Sequence, residues 1–130
     1  MNDTLKISWN KGCDIIAEEK RFENRVKKFL ESQGCWFVKF FANAYTKSGI
    51  PDILVCCNGY FIGVEIKAPN GKPSPLQKRN IKKIYESGGI GVVLYPDQFD
   101  YFKELIRHLQ NDYFDSAECL SKLINERWDK

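Results

Sequence analysis

The residues of this chain best suited to chemistry are two acids and a lysine, Asp52, Glu65 and Lys67. The acids lie on apolar segments separated by Asn58-Gly59, and that dipeptide is the strongest short-range signal for a two-residue β-hairpin turn. Such a turn predicts a register in which Asp52 lies directly opposite Glu65. The apolar side chains then share one face of the hairpin and the three charged side chains share the other, whereas a shift by one residue would mix the two faces.

Two carboxylates that lie opposite each other on paired strands are suited to bind a metal ion. Their Cβ atoms are about 4.5–5.5 Å apart, and at that distance the charges repel unless a proton or a cation lies between them. Mg²⁺ prefers oxygen ligands, so the predicted ligands are Asp52, Glu65 and the backbone carbonyl of Ile66. Such a metal can polarise a phosphodiester and activate water, and Lys67 can position that water or stabilise developing charge. The arrangement predicts cleavage of phosphate esters.

A further acidic ligand is expected from the helix that precedes the hairpin. From about residue 17 to 33 apolar residues recur at helical spacing, and Gly34 follows as a stop signal. Glu23 lies beside this apolar stripe, so its carboxylate is expected to emerge at the edge of the sheet, where it could bind the same metal. Glu19 lies one helical turn earlier and remains an alternative.

Basic residues are concentrated immediately after Lys67. No acidic residue lies between Lys67 and Lys83, so this segment is expected to carry a positive field that attracts a polyanion. Contacts of this kind hold the phosphate backbone of DNA without reading its bases. The residues assigned to DNA binding are Lys47, Lys72, Lys78, Arg79, Lys82 and Lys83.

The composition argues against several other kinds of site. The chain has one histidine, and its five cysteines form no C-x-x-C pair, so zinc sites, histidine-centred nuclease motifs and a disulfide framework are not expected. No apolar run reaches the length of a membrane-spanning helix, and the polar start lacks the apolar core of a secretory signal. We therefore expect an intracellular protein, cytoplasmic or associated with the nucleoid, without membrane partners.

The 130 residues suit one domain, with a core at about 17–111, an N-terminal extension at 1–16 and a C-terminal helical appendage at 112–130. Periodicity and turn signals predict the order α-β-β-β-α-β-α plus a C-terminal helix, and hence an α/β fold with a mixed central sheet flanked by helices. Trp9 and Trp36 could each stack on bases or fill the core, and for Trp36 the core is the expected place. The expected core elements are at about 17–33, 35–42, 52–57, 60–67, 74–87, 90–95 and 99–109.

Three short strings resemble a known nuclease superfamily. They are Gly49-Ile50-Pro51-Asp52, Val64-Glu65-Ile66-Lys67 and Ser74-Pro75-Leu76-Gln77, and their order and intervals resemble the PD-(D/E)xK superfamily and, within it, the VRR-NUC family. The resemblance spans about residues 22–95. It implies a restriction-endonuclease-like core in which the two acids bind Mg²⁺ or Mn²⁺ and the lysine serves catalysis.

The resemblance also implies roles for Glu23 and Gln77. Glu23, within Glu23-x-x-Val26, matches a helix acid that assists the metal in the family, and Gln77 matches a glutamine that faces the catalytic centre. From the residues alone, Gln77 could equally serve only the helix cap that begins at Ser74.

Members of this family act on DNA, and its small members resemble dimeric Holliday-junction resolvases. The resemblance therefore implies a metal-dependent endonuclease that acts on duplex, flap or branched DNA. A homodimer is expected, because symmetric cutting of two strands needs two sites and each short chain supplies one. Two alternatives stay open. One is a nuclease-fold module that binds DNA and needs a partner for cleavage, and the more remote one is a phosphatase acting on small phosphoesters.

Overall fold

The helices and strands of this protein follow the predicted order. The computed structural model describes residues 11–43 and 45–129. Within those residues, strands and α-helices follow the order α-β-β-β-α-β-α-α, which confirms the predicted α/β class and is consistent with a restriction-endonuclease-like fold. The elements are α1 (Lys11–Ser32), β1 (Trp36–Lys39), β2 (Ile53–Cys57), β3 (Tyr60–Ile66), α2 (Pro75–Glu86), β4 (Ile90–Leu94), a 3₁₀ turn (Pro96–Gln98), α3 (Phe99–Gln110) and α4 (Phe114–Asn125).

The strands form one mixed sheet in the order β1-β2-β3-β4. The first three strands are antiparallel neighbours, whereas β3 and β4 are parallel and are joined by α2. The core lies mainly on the face that α1 and α3 cover, with α4 at its edge. Its largest fully buried side chains are Phe22, Leu30, Ile53, Ile62, Ile90, Leu94, Phe102, Leu105, Ile106, Leu109 and Ile124.

The hairpin between β2 and β3 has the predicted register. Asn58-Gly59 forms the turn with positive φ at both residues, 52° and 85°, as a two-residue turn of this hand requires. At the other end of the hairpin Ile53 pairs with Val64. The next residues, Asp52 and Glu65, therefore lie opposite each other, which is the pairing expected from the sequence.

The helix α2 packs closely on the opposite face of the sheet because two glycines leave room for it. A Cβ at Gly63 would lie 2.7 Å from Ile84 Cδ1, and a Cβ at Gly91 would lie 2.9 Å from the Ile81 carbonyl oxygen. Both distances are shorter than van der Waals contact, so a side chain at either position would push α2 away. The close approach helps α2 to reach the end of β3, where Gln77 contacts Glu65.

Two element boundaries differ by several residues from the sequence-based expectations, whereas the other core boundaries differ by at most one. The helix α1 begins at Lys11 rather than near residue 17, and β1 ends at Lys39 rather than at residue 42. The additional turns of α1 include exposed residues such as Ile16, so no buried stripe marked them in the sequence. After β1 the Phe40 amide still donates to the Asp52 carbonyl at 2.8 Å, and the chain then leaves the sheet.

The expectation that Trp36 fills the core is wrong, since 65% of this residue is exposed. Trp36 lies on the edge strand β1, and its partner on β2, Cys56, is exposed as well. Both side chains lie on the sheet face opposite the main core. Trp9 lies outside the described residues, so its placement stays a prediction. In the described part of the chain, each helix is too short or too polar to cross a membrane.

The side chain of Asn125, at the end of α4, covers the free edge of β4. Its Oδ1 accepts a hydrogen bond from the Val93 amide at 3.1 Å, and its Nδ2 donates to the Gly91 carbonyl at 2.9 Å. Edge strands with unpaired backbone groups invite pairing with other chains. Asn125 therefore satisfies two backbone groups of β4 on the side where, among the described residues, no further strand pairs with it.

We expect Asn125→Ala to lower the free energy of unfolding by about 3 kcal/mol, because three hydrogen bonds are lost, two to β4 and one from Trp128 Nε1, and each contributes about 1 kcal/mol. Urea denaturation measures the change. The control is Asn111→Ala, which removes a single exposed hydrogen bond to the Arg107 carbonyl and should cost less than half as much. Equal losses in the two variants would show that the edge of β4 does not depend on Asn125.

Candidate active site

The predicted site residues meet where β2 begins and β3 ends. Asp52 immediately precedes β2, and its Oδ2 accepts a hydrogen bond from the Ile66 amide at 2.8 Å. Glu65 is the penultimate residue of β3, and Lys67 immediately follows that strand. Gln77 lies in the first turn of α2 and donates from Nε2 to Glu65 Oε1 at 2.5 Å. The hairpin and α2 thus bring these side chains to one end of the sheet.

Glu65 is a buried acid with an incomplete set of partners. Only 2% of the residue is exposed, and within the described residues its Oε2 has no hydrogen-bond donor. Burial raises the pKa of Glu65 to about 9, the Asp52 carboxylate adds to the rise, and Lys67 and Lys39 oppose it. Without a cation, Glu65 therefore holds a proton at neutral pH. A metal ion could replace that proton.

Gln77 both caps α2 and orients Glu65. Its side-chain Oε1 accepts a hydrogen bond from the backbone amide of Ser74 at 2.8 Å. The backbone amide of Gln77 in turn donates to Ser74 Oγ at 3.2 Å, which completes a capping box. Because the cap holds Oε1, the Nε2 group is left to donate to Glu65. The two contacts suggested by the sequence, one with the helix cap and one with the site, therefore occur together.

The backbone carbonyl of Ile66 faces the same side as Asp52. The Lys67 amide donates to the Leu94 carbonyl of β4 at 3.0 Å, and successive residues of a strand turn their backbone groups to opposite sides. The amide and carbonyl of Ile66 therefore point away from β4, and the amide donates to Asp52. This orientation leaves the carbonyl on the side where the two carboxylates meet.

Glu23 contacts lysines rather than the two other acids. Lys39 Nζ lies 2.6 Å from Glu23 Oε1, and Lys20 and Lys27 each lie 3.3 Å from its Oε2. Lys39 also lies 3.3 Å from Asp52 Oδ1, so one ammonium group bridges two carboxylates. In the part of the chain that the structure describes, no three acidic, histidine or cysteine side chains gather as a metal-binding group. Direct coordination of a metal by Glu23 stays a prediction.

Lys67 lies beside Glu65, and its charge lowers the pKa of that acid. The side chain is half-buried. The next residue, Ala68, is buried and donates its amide to Glu19 Oε1 at 3.3 Å. Glu19, the alternative to Glu23, therefore contacts the backbone that follows Lys67.

Lys39 is the residue of this site that the sequence reasoning missed. A single lysine within the apolar string of residues 36–42 was the available signal. Burial alone would lower the pKa of Lys39, but the hydrogen bond to Glu23 and the charge of Asp52 outweigh it and raise that pKa. Burial would likewise raise the pKa of Glu23, but Lys39 and the neighbouring lysines lower it. Lys39 and Glu23 are therefore both charged at neutral pH.

We expect Lys39→Met to lower the free energy of unfolding at pH 7 by about 2 kcal/mol, because it leaves the buried Glu23 carboxylate without its closest partner. Adding Glu23→Gln should recover part of that loss, since the uncompensated charge is then absent. Urea unfolding of both single variants and the double variant measures the coupling. Strictly additive losses would contradict a stabilising ion pair.

A cavity of about 330 Å³ opens onto Asp52, Glu65 and Gln77. Lys39 and Lys47 line it as well, so two ammonium groups and two carboxyl groups border the same space. The volume lies in the range of small-ligand sites. A phosphate group could enter this cavity with its charge balanced by the lysines.

The residues predicted to bind DNA divide between two surfaces. A groove of about 780 Å³ along α2 adjoins the active-site cavity, and Lys47 lines both. Lys72 lies apart from this groove, on the loop between β3 and α2. The predicted residues that line the groove are Lys47, Lys78, Arg79, Lys82 and Lys83.

The oxygen atoms at the site fit a magnesium ion. Asp52 and Glu65 supply carboxylate oxygens and Ile66 supplies a carbonyl oxygen, which are the ligand types that Mg²⁺ prefers. Among the described residues Glu65 Oε2 has no hydrogen-bond partner, and burial and the Asp52 carboxylate raise the pKa of Glu65, so this oxygen is available to a cation. A cation would relieve the repulsion between the acids and displace the proton.

A sequence model of one protein family, described as archaeal Holliday junction resolvase (Hjc), matches residues 14–88. The matched residues extend through α2 and include all of the predicted catalytic and DNA-binding residues. A comparison with curated proteins finds no match.

Proposed function

Because the chain belongs to the archaeal Holliday junction resolvase family (Hjc), a family of PD-(D/E)xK-type nucleases, we propose that it is a Mg²⁺-dependent endonuclease that cuts branched DNA. The observation that carries the proposal is the pair of acids Asp52 and Glu65, with a buried oxygen on Glu65 that has no hydrogen-bond partner in the described part of the chain. Mn²⁺ is expected to substitute for Mg²⁺, since both accept oxygen ligands. The finer likeness of the sequence strings to the VRR-NUC family stays a prediction.

In the proposed reaction, Asp52, Glu65 and the Ile66 carbonyl would hold the ion. With Mg²⁺ bound, the phosphodiester gains Lewis-acid stabilisation of the charge that develops during hydrolysis. Lys67, next to Glu65, orients the attacking water or donates to the phosphate. Gln77 holds Glu65 through its helix-cap geometry, so this carboxylate is already in position when the substrate enters.

The position of Asp52 is maintained through both of its oxygens. Oδ2 accepts from the Ile66 amide, and Oδ1 lies 3.3 Å from Lys39 Nζ. Lys39 is in turn held by Glu23 at 2.6 Å, so α1 supports the site through this lysine. The proposed role of Glu23 is therefore to position Lys39 and Asp52, in addition to any contact with the metal.

The surface around the site favours a nucleic acid over a small phosphoester. A single phosphate would occupy only the cavity at Asp52 and Glu65, whereas the basic groove continues from Lys47 along α2. Lysines and arginines in such a groove neutralise successive phosphates of a DNA backbone. A phosphatase for small substrates would have no use for this extended surface.

The substrate proposal is tested by incubating the protein with labelled single-stranded, duplex, flap and four-way-junction DNA in Mg²⁺, Mn²⁺ or EDTA. We expect metal-dependent cutting, with the four-way junction cut faster than the linear duplex. Cutting of all substrates at the same rate would refute the preference for branched DNA. Binding without cutting on every substrate would favour the alternative of a recognition module that needs a partner.

We expect Lys67→Ala to lower the single-turnover cleavage rate by at least about a hundredfold, because it removes the cation beside Glu65 that assists proton transfer or charge stabilisation. The matched control is Lys28→Ala, which removes an exposed lysine of α1. A rate within a factor of about three of the wild type would exclude Lys67 from the chemistry.

A homodimer is part of the proposal, since resolving a four-way junction requires cuts in two strands and one chain carries one site. Light scattering of the free protein and of its junction complex measures the number of chains. Two chains per junction would support the dimer. Monomers under both conditions would defeat it.

A further inference from the structure

The end of α4 closes a second cavity at the same end of the sheet as the active site. This cavity has a volume of about 480 Å³. It is bordered by the loop of residues 69–73 and by Arg127 and Trp128, which follow α4. The strands β3 and β4 are parallel, so the loops that follow them lie side by side. The residues that argue for a ligand are Lys72, Lys78, Tyr95, Arg127 and Trp128.

Arg127 and Tyr95 form a rigid wall of this cavity. Arg127 Nη1 lies 2.5 Å from both carboxylate oxygens of Asp97, and its Nη2 donates to the Pro69 carbonyl at 2.8 Å. The guanidinium lies 3.9 Å from the centre of the Tyr95 ring, and the Tyr95 hydroxyl donates to the Gly71 carbonyl at 2.8 Å. The loop after Lys67 is thus tied to β4 and to the C-terminal segment.

Lys72, Lys78 and Trp128 are the groups of this cavity that can contact a ligand. Lys78 Nζ lies 5.8 Å from the centre of the Trp128 ring, and Trp128 is held by a hydrogen bond from Nε1 to Asn125 Oδ1 at 3.0 Å. Lys72 is exposed at the mouth of the cavity. An aromatic ring beside two cations in a concave site is the arrangement by which proteins bind unpaired nucleotides.

We propose that this cavity binds an unpaired nucleotide of a DNA strand, with the base against Trp128 and the phosphate between Lys72 and Lys78. The inference rests on the proposed nuclease function and names a second contact of the same substrate. Lys78 lines both this cavity and the basic groove of α2, so one strand can pass from the groove into the cavity. A base in intact duplex cannot enter it without unstacking, which restricts the site to single-stranded or branch-point nucleotides.

The position of the cavity suits a role beside the active site. Lys67 precedes its loop, and Gln77 directly precedes Lys78 on α2. Tyr95, Arg127 and Trp128 lie beyond the residues that match the family, so this part of the site comes from the C-terminal segment of the chain. The residues that follow α4 thereby take part in the proposed substrate contact, next to Asn125, which covers β4.

The test is binding of a fluorescein-labelled oligothymidylate of about twelve nucleotides, and of a blunt duplex of equal length, measured by anisotropy in EDTA. We expect Trp128→Leu to weaken binding of the oligothymidylate about tenfold through lost stacking and to leave duplex binding within about twofold. The control is Trp36→Leu, at the far end of β1 from Asp52, which should change neither. Unchanged oligothymidylate binding, or equal weakening of both DNAs, would overturn the proposal.

Substitution of Lys72 and Lys78 supplies a second test, which does not depend on whether Trp128→Leu folds correctly. Lys78→Gln and Lys72→Gln should each lower the salt dependence of oligothymidylate binding by about 0.7 in the slope of log K against log salt. An unchanged slope in both would also overturn the site. All binding is measured in EDTA, so a failure to cleave DNA in Mg²⁺ would count against the nuclease proposal alone. Oligothymidylate binding that does not change when Trp128 or either lysine is replaced would count against this inference alone.

Discussion

Replacing Glu65 with Gln is expected to stabilise the metal-free protein at pH 8 while abolishing cleavage of DNA. In the folded chain, burial and Asp52 raise the pKa of Glu65 to about 9, from 4.5. A raised pKa means that the contribution of this group to stability is fully present below pH 4.5 and is lost as the pH rises toward 9. Glutamine keeps the shape without the charge, and its amide can donate to Asp52.

The stability of the two proteins should therefore diverge as the pH rises. In EDTA at pH 5 we expect nearly equal free energies of unfolding, and at pH 8 we expect the variant to be more stable by about 2 kcal/mol. Urea denaturation at both pH values measures this. Glu31→Gln, which neutralises an exposed acid of α1, serves as the control and should show no such divergence.

Magnesium should make the wild type more stable than Glu65→Gln, which is the reverse of the order expected in EDTA. Binding of Mg²⁺ to the folded wild type alone raises its melting temperature, whereas the variant has lost a ligand and should not respond. A Glu65→Gln protein that is no more stable than the wild type at pH 8 in EDTA, yet gains the same stability from Mg²⁺, would rule out the proposed metal site.

Asp52→Asn is expected to lower the cleavage rate by at least about a thousandfold, because it removes a charged metal ligand from the centre of the reaction. The fold should remain intact, since the asparagine carbonyl can still accept from the Ile66 amide and Lys39 keeps its bond to Glu23. Binding of junction DNA should be equal or tighter, because one negative charge near the phosphate is gone.

Single-turnover cleavage in Mg²⁺ and gel-shift binding in EDTA separate the two effects. Asp100→Asn, which neutralises an exposed acid in the first turn of α3, controls for the change in net charge and should cleave at the wild-type rate. If Asp52→Asn lost binding and cleavage together, Asp52 would be holding the structure or the DNA rather than the metal.

The hairpin and its acids could be predicted because local signals determine them. Asn58-Gly59 sets the turn, and the alternation of apolar residues on both strands admits one register only, so the pairing of Asp52 with Glu65 follows from neighbouring residues. The cap at Ser74 and Gln77 is also local, which is why the start of α2 was predicted correctly.

Features that depend on which elements meet in space could not be read from the sequence. Lys39 reaches Glu23 and Asp52 because α1 and β2 both pack beside the end of β1, and nothing adjacent to Lys39 in the chain indicates this. Trp36 has the composition of a core residue, yet its exposure depends on how much of the sheet α2 covers.

The contacts of the C-terminal segment also depend on which elements lie close together in the folded chain. Arg127 bonds to Pro69, and Asn125 bonds to β4, across more than thirty residues of sequence in each case. The sequence predicted a C-terminal helix, but it carried no information about which strand or loop that helix would contact.

The most direct test of the central claim is cleavage of a labelled four-way junction by metal-depleted protein, before and after Mg²⁺ is restored. A parallel preparation of Asp52→Asn reveals any contaminating nuclease. We expect no cleavage in EDTA, rapid cutting of the wild-type reaction in Mg²⁺ and none by the variant. Cutting that persists in EDTA, or that proceeds equally in both preparations, would contradict a metal-dependent nuclease site built on Asp52 and Glu65.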